Sequence, residues 1–390
     1  VYDATSVAGG DLGTIFPGVF PKLEANETSK CIMNVTHCTR AEFMEELGRR
    51  QFVNAPNTTP AYSNSAFALL GYVLESIAGV SYEEAMQRSL IEPLGLKHTF
   101  GMIPDPSLGA IALGETFSGW DIDIHEVQAM GGQFSSANDM SAIGRAILSS
   151  KFLSKSVTRA WLKPTSHTSS LIGSVGRPWE IFRAQTNADE NRVVDMYTKG
   201  GNLGIYEAQY VLLPDFGVGF TLHLASVSGA PSYGVLGIIT DILIPALDEV
   251  AREEADAAFS GTYTGTNGVN STVSLSTAPG TAGLHINEWI SNGTSMLGLL
   301  ALPGTQTRMF PSTREDTEPN SESRSSWRMA RELSQGFELK GPFSACPNWF
   351  AVDRPGWGIW GLDDFVFHLN KEEEVEAIEP KALKIVLAKE

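Results

Sequence analysis

Two runs of apolar, β-branched and aromatic residues flank Pro214, Asp215, Phe216 and Gly217 in the stretch GIYEAQYVLLPDFGVGFTLHLAS, residues 204–226. Proline and glycine around so short a break supply turn geometry, so the stretch predicts an antiparallel hairpin. Helical patterns surround it. Thr39 with Glu42, and Ser81 with Glu84, have the spacing of capping boxes, and Pro93 is expected to stop the second of these helices. Ala66, Phe67, Leu70, Val73, Leu74 and Ile77 recur at helical spacing up to Gly79 and predict a helix with one face in a core. Ser136 is placed to cap a helix carrying Met140, Ile143 and Ile147, and another is expected over 235–250. Helices mixed with an antiparallel hairpin imply an α/β fold of α+β layers and argue against a doubly wound parallel sheet.

Near EVAREEADAAFSGTYTGTNGVNSTVSLST the pattern changes from a charged helix end to short alternating runs rich in Thr, Ser and Gly, and strand-like segments continue to Leu387. A domain over 1–254 and a β-rich accessory domain over 255–390 are therefore expected.

Lys and Arg total 28 against 45 Asp and Glu, a net charge of -17, so the average surface repels phosphate backbones and anionic lipid. Nucleic acid is not an expected partner. The most apolar stretches, 69–80 and 234–247, are broken by Glu75 and by Asp241 with Pro245, so no membrane span is expected. Five N-x-S/T triplets, at Asn26, Asn34, Asn57, Asn270 and Asn292, fit a secreted glycoprotein. Cys31 and Cys38 are close enough for a small surface disulfide. Cys346 has no evident partner and reads either as half of a pair lost from the chain or as a buried thiol. Zinc-type spacings are absent, so neither metal nor cofactor is expected.

Tyr62 and Asn64 stand two apart in TPAYSNSAFALLGYVLESIAG, where a proline-marked loop becomes an apolar helix. In extended chain, side chains at i and i+2 leave on the same side, so both can face one cleft. A tyrosine near pH 7 is a weak base unless an ammonium stands close. Lys199, in TKGGNLG at 198–204, is the candidate: it precedes Gly200 and Gly201 at the expected start of a strand, where missing side chains let a substrate approach the backbone.

The blocks TPAYSNSAFALLGYVLESIAGVSYEEAMQRSLIEPLGLKHT, GGQFSSANDMSAIGRAIL and YTKGGNLGIYEAQYVLLPDFGVGF resemble the penicillin-recognising serine hydrolases. That group takes in class C β-lactamases, DD-peptidases and related esterases, and the likeness is strongest to fungal β-lactamase-like proteins. It covers most of 1–250 and implies a β-lactamase/transpeptidase-like domain, an antiparallel sheet flanked by helices, lacking its N-terminal part. By the resemblance, Tyr62 handles protons, Asn64 orients the substrate amide, and Lys199 supplies positive charge. Gly200 and Gly201 form an open strand edge, and the Asn202 N–H is an oxyanion-hole donor. An acyl-enzyme route is implied, with a small-molecule or peptide acyl substrate.

Two departures stand out. Gly200 replaces the hydroxyl residue of the family's K-T-G, which favours ester, amide or peptide substrates over penicillins. No lysine in the chain has a serine three residues before it, so the nucleophile motif S-x-x-K is absent and no nucleophile is assigned. Val1 is expected to follow a lost segment that carries it, leaving this chain inactive alone, with that segment as its partner. Two other readings remain: a binding or scaffold protein that keeps the fold, and an acyltransferase of small-molecule biosynthesis.

Overall fold

The computed structural model describes residues 18–19, 21, 24, 38–109, 118–186, 192–226, 231–266, 268–300, 305–312, 324–333 and 352–390. Two compact units divide the chain: Val1–Ala184 with Val193–Asp241, and Gln185–Arg192 with Ile242–Glu390. Helix α6 (Ser232–Phe259) contains both the 241/242 division between the units and the 254/255 composition change.

In the first unit, α1 (Arg40–Arg49) starts at a complete capping box. The Glu42 N–H donates to Thr39 Oγ1 at 3.3 Å, and the Thr39 N–H donates back to Glu42 Oε2 at 3.1 Å. Helix α2 (Asn64–Ala78) is capped by Ser63, whose Oγ accepts the Ala66 N–H at 3.0 Å, and ends at Gly79 in the left-handed region, φ 68°. Its buried face differs from the expected one. Asn64, Ser65, Ala68 and Gly71 are buried, whereas Leu70, Val73, Leu74 and Ile77 are exposed. The small residues win because a neighbouring side chain sits so close: a Cβ on Gly71 would lie 2.6 Å from the Ala129 Cβ, in the 3-10 segment His125–Met130.

Helix α3 comprises Tyr82–Met86, a π turn Gln87–Ile91 and Glu92–Leu94, and its N-cap is Ser81 as expected. Pro93 does not stop it. The chain widens into the π turn just ahead of the proline, Leu96 N–H reaches back to Ile91 O at 3.0 Å, and left-handed Gly95 ends the helix. Helix α4 (Ala137–Leu148) is capped by Ser136, and Asp139 in its first turn accepts from the His98 N–H (2.7 Å) and the Thr99 hydroxyl (2.8 Å). A short α5 follows over Lys155–Trp161.

The sheet of this unit is a meander in chain order: β1 (Ser166–His167), β2 (Gly173–Val175), β3 (Glu180–Gln185), β4 (Val193–Leu203), β5 (Tyr206–Leu213) and β6 (Val218–Ala225). The predicted hairpin is β5–β6, in antiparallel register from Tyr206↔Ala225 to Leu213↔Val218, around a 3-10 turn closed by Gly217 at φ 66°. Lys199 sits past the middle of β4 and not at a strand start. The sheet's core gathers Trp179, Ile181, Tyr197, Tyr210 and Leu212 against Ile147 and Leu162.

The second unit carries α7 (Met296–Leu300) and strands β7 (Gly261–Gly265), β8 (Thr272–Ala278), β9 (Thr281–Ser291), β10 (Thr294–Ser295), β11 (Thr305–Pro311), β12 (Arg324–Leu333), β13 (Gly356–Trp357), β14 (Trp360–Gly361), β15 (Asp364–Leu369), β16 (Val375–Pro380) and β17 (Leu387–Lys389). The order β9-β11-β12-β15-β16-β17-β7-β8 returns to β9 through the β8–β9 pairing, so the sheet closes on itself, with β10 attached to β9. At eight strands a closed barrel is narrow enough for side chains to fill. Trp289, Tyr263, Phe365, Phe367, Met309 and Ile378 are among those that do, each under 2 % exposed. Among the described residues no single helix is long and apolar enough to cross a membrane.

Candidate active site

The cap of α2 fixes the first two site residues. Ser63 holds the last extended position, so Tyr62 stays outside the helix and Asn64 becomes its first residue. The Tyr62 hydroxyl donates to Asn64 Oδ1 at 2.8 Å. Asn64 is 5 % exposed and Tyr62 59 %, so a buried amide orients a phenol that remains open to an incoming molecule.

Strand β4 brings the third. The Lys199 ammonium lies 5.0 Å from the centroid of the Tyr62 ring, although the two residues are far apart in sequence. It donates to Glu180 Oε1 and to the Gly200 carbonyl, both at 2.8 Å. Glu180 Oε2 also accepts the Gly200 N–H at 3.4 Å, and the Glu180 carbonyl accepts the Thr198 hydroxyl at 2.7 Å. The Lys199 and Glu180 side chains are 30 % and 31 % exposed, a half-buried pair that contributes about 1 kcal/mol at most.

The two glycines differ. A Cβ on Gly200 would meet the Gln209 amide, 3.0 Å from Oε1 and 3.1 Å from Nε2, whereas one on Gly201 would meet nothing within 4 Å. Gln209 is paired with Gly200 in the β4–β5 register, is 4 % exposed, and donates from Nε2 to Ser232 Oγ at 3.2 Å. Its Oε1 is buried without a hydrogen-bond partner among the described residues. Asn202 follows on the exposed end of the strand. The structure thus brings together Tyr62, Asn64, Lys199 and Gly200, beside an open backbone at Gly201 and Asn202.

This arrangement sets the Tyr62 hydroxyl on a buried amide acceptor and its ring near an ammonium that Glu180 already pairs, beside an open strand edge at Gly201. Glu180 and Gln209 had no motif to announce them. The apolar alternation of Trp179 and Ile181 signals a strand, but nothing in it says which strand lies alongside Lys199.

Among the described residues no cluster suits a metal ion. A separate cleft of about 510 Å³ lies along α2, with Tyr72, Glu75, Tyr82, Glu83, Asp123 and Glu126 in its wall. None of the site residues lines it. Glu75 there is already engaged, by Arg40 and by the Tyr82 N–H at 2.9 Å.

Of the other sequence candidates, Asn57, Asn270 and Asn292 are exposed. Asn26, Asn34, Cys31 and Cys346 lie outside the described residues.

Two protein families match the chain: one described as Beta-lactamase over residues 15–237, and one described as Beta-lactamase-like-like, C-terminal domain, over 251–390. A beta-lactamase-like protein of Arthroderma benhamiae is 27% identical, over 90% of this chain and 64% of its own length. A probable hydrolase (clz13) of Cochliobolus lunatus is 31% identical over 67% of this chain and 42% of its own. The chain therefore spans roughly two fifths to two thirds of the length of these curated relatives. A solved D-amino acid amidase from Ochrobactrum anthropi SV3 superposes with a TM-score of 0.44 at 15% identity, over 58% of this chain and 68% of that one. The chain belongs to the penicillin-recognising serine hydrolases, as a β-lactamase-like member with a β-rich C-terminal domain.

Proposed function

We propose that this chain carries the proton-transfer and strand-edge half of an acyl hydrolase centre that works through an acyl-enzyme on an ester, amide or peptide. Tyr62 transfers protons, Asn64 orients the phenol and the substrate amide, and Lys199 supplies positive charge. Gly200 and Gly201 keep the edge accessible, and the Asn202 N–H donates to the developing oxyanion. The observation carrying this reading is the convergence of Tyr62, Asn64 and Lys199 within hydrogen-bond and cation-π reach. The nucleophilic serine belongs to sequence outside these 390 residues, because no S-x-x-K occurs within them; the chain alone is inactive, and its partner is that outside segment.

The same absence favours a second reading, a binding or scaffold protein that keeps the fold. Intact-mass measurement after incubation with a fluorophosphonate probe separates the two. The protein with its complete encoded sequence gains the probe's mass on one serine, while residues 1–390 alone gain none. No adduct on the complete protein would remove the hydrolase reading. An acyltransferase shares the chemistry and differs in the acceptor, so it would label too and then show transfer to an added alcohol or amine.

Secretion is part of the proposal. Exposed sequons at Asn57, Asn270 and Asn292, together with a disulfide-bonded Cys38, fit an oxidising, glycosylating route. Cys31 remains the proposed partner of Cys38. Glycosidase treatment of the protein secreted from its own host should lower its mass; unchanged mass would argue against it.

A further inference from the structure

Lys199 is the cation of the proposed centre, yet it does not stand free. Two of its three N–H bonds are used within the sheet, on Glu180 Oε1 and on the Gly200 carbonyl. Glu180 also receives the Gly200 N–H, so a single carboxylate occupies both the ammonium and the neighbouring backbone donor. A substrate carboxylate aimed at Lys199 would have to share the ammonium with Glu180 at close range, like charge against like charge, or displace it and leave Glu180 half-buried without its partner.

The adjacent strand position gives no help to an anion. The space a side chain at Gly200 would need is filled by the Gln209 amide, so no hydroxyl can project there unless Gln209 moves. Next to it, the direction of a Cβ on Gly201 is open, leaving room for substrate against bare backbone. The charge of the whole chain, -17, adds a long-range bias against anions.

We infer that Glu180 is a specificity-determining residue: it neutralises Lys199, so that the part of the substrate lying against Lys199 and Gly201 is uncharged, a neutral ester or amide and not one bearing a carboxylate beside the scissile bond. This rests on the acyl-hydrolase reading for its reaction but not for its electrostatics. Glu180 does not touch the reacting atoms. It sets which charge the ammonium can accept.

The test uses the protein with its complete encoded sequence and two aryl esters that differ only in the leaving phenol, one with a meta carboxylate and one with a meta carboxamide. The wild type is expected to favour the carboxamide twin by about tenfold or more in kcat/KM, and Glu180→Gln to shrink that ratio by about tenfold, chiefly through the KM of the anionic twin. Raising ionic strength from about 0.01 M to about 1 M should erode the wild-type preference, a readout that needs no variant to fold. The non-hydrolysable ether analogues of both esters, titrated calorimetrically, read the same charge preference without turnover.

A wild type that prefers the anionic twin, a ratio unmoved by Glu180→Gln or by salt, or ethers that fail to bind would each overturn the inference. Absence of a covalent adduct with charge-selective ether binding would instead overturn the hydrolase reading and leave the role of Glu180 standing.

Discussion

At the scale of single residues, the proposed chemistry turns on one hydroxyl. Tyr62 is exposed while the amide that holds it, Asn64, is buried, so the hydroxyl faces solvent and its support faces the protein. In the complete protein, Tyr62→Phe keeps the ring under the Lys199 ammonium and removes only the proposed proton carrier. Acylation by a fluorophosphonate should slow by about 100-fold or more, with little change in thermal stability. An unchanged rate would take Tyr62 out of the mechanism. The Y-x-N pattern was legible in sequence because the two side chains stand two residues apart and meet directly. Glu180 was not, since its partner lies on another strand and no spacing rule links the two.

Elements are held apart or together by how closely their backbones approach. On α4, a Cβ at Gly144 would lie 3.0 Å from the Tyr210 Oη and 3.4 Å from Leu212 Cδ2 on β5. That Oη is buried with no hydrogen-bond partner among the described residues, and burial pushes the Tyr210 hydroxyl far above its ordinary pKa. Removing an unpartnered hydroxyl costs little, so Tyr210→Phe should leave stability near the wild-type value or raise it. Gly144→Ala alone should destabilise by about 1 kcal/mol or more through overpacking, and in the Tyr210→Phe background it should turn neutral or stabilising as the helical preference for alanine emerges. A double-mutant cycle by urea denaturation measures this coupling; additive effects would show that the helix and strand do not compete for that space. The same logic explains α2. Its periodicity announced a helix correctly, but a periodic row of leucine and valine does not say which face a neighbour reaches first, and the close-packed Gly71 decided it.

For the whole molecule, the core behind the meander sheet and the core inside the closed barrel share no residue. Trp289→Ala opens the barrel core, where the side chain is 1 % exposed, and should cost about 3–5 kcal/mol. Calorimetry should then show the barrel's transition falling while that of the first unit stays put; both falling together would mean that the units unfold as one. Alkaline pH acts on both. Burial, with smaller contributions from Asp195 and Asp215, pushes Tyr197 up to about 12, and burial raises Tyr263 in the barrel as well. Because the unfolded chain releases these protons first, near pH 10, the stability held below that pH should decline as pH rises from about 10 toward 12. Urea midpoints across that range should fall less steeply for Tyr197→Phe.

The amino-acid order by itself determined what short-range forces fix: where helices start, the β5–β6 hairpin, the change to strands after α6, and the two motifs of the site. Only the tertiary structure decided which motif meets which, that the β-rich segments close into a barrel, and that the Lys199 charge is already answered by Glu180. The physical reason lies in range. Caps and turns are settled among residues a few places apart, whereas strand register and the burial of a face are settled by competition over the whole chain.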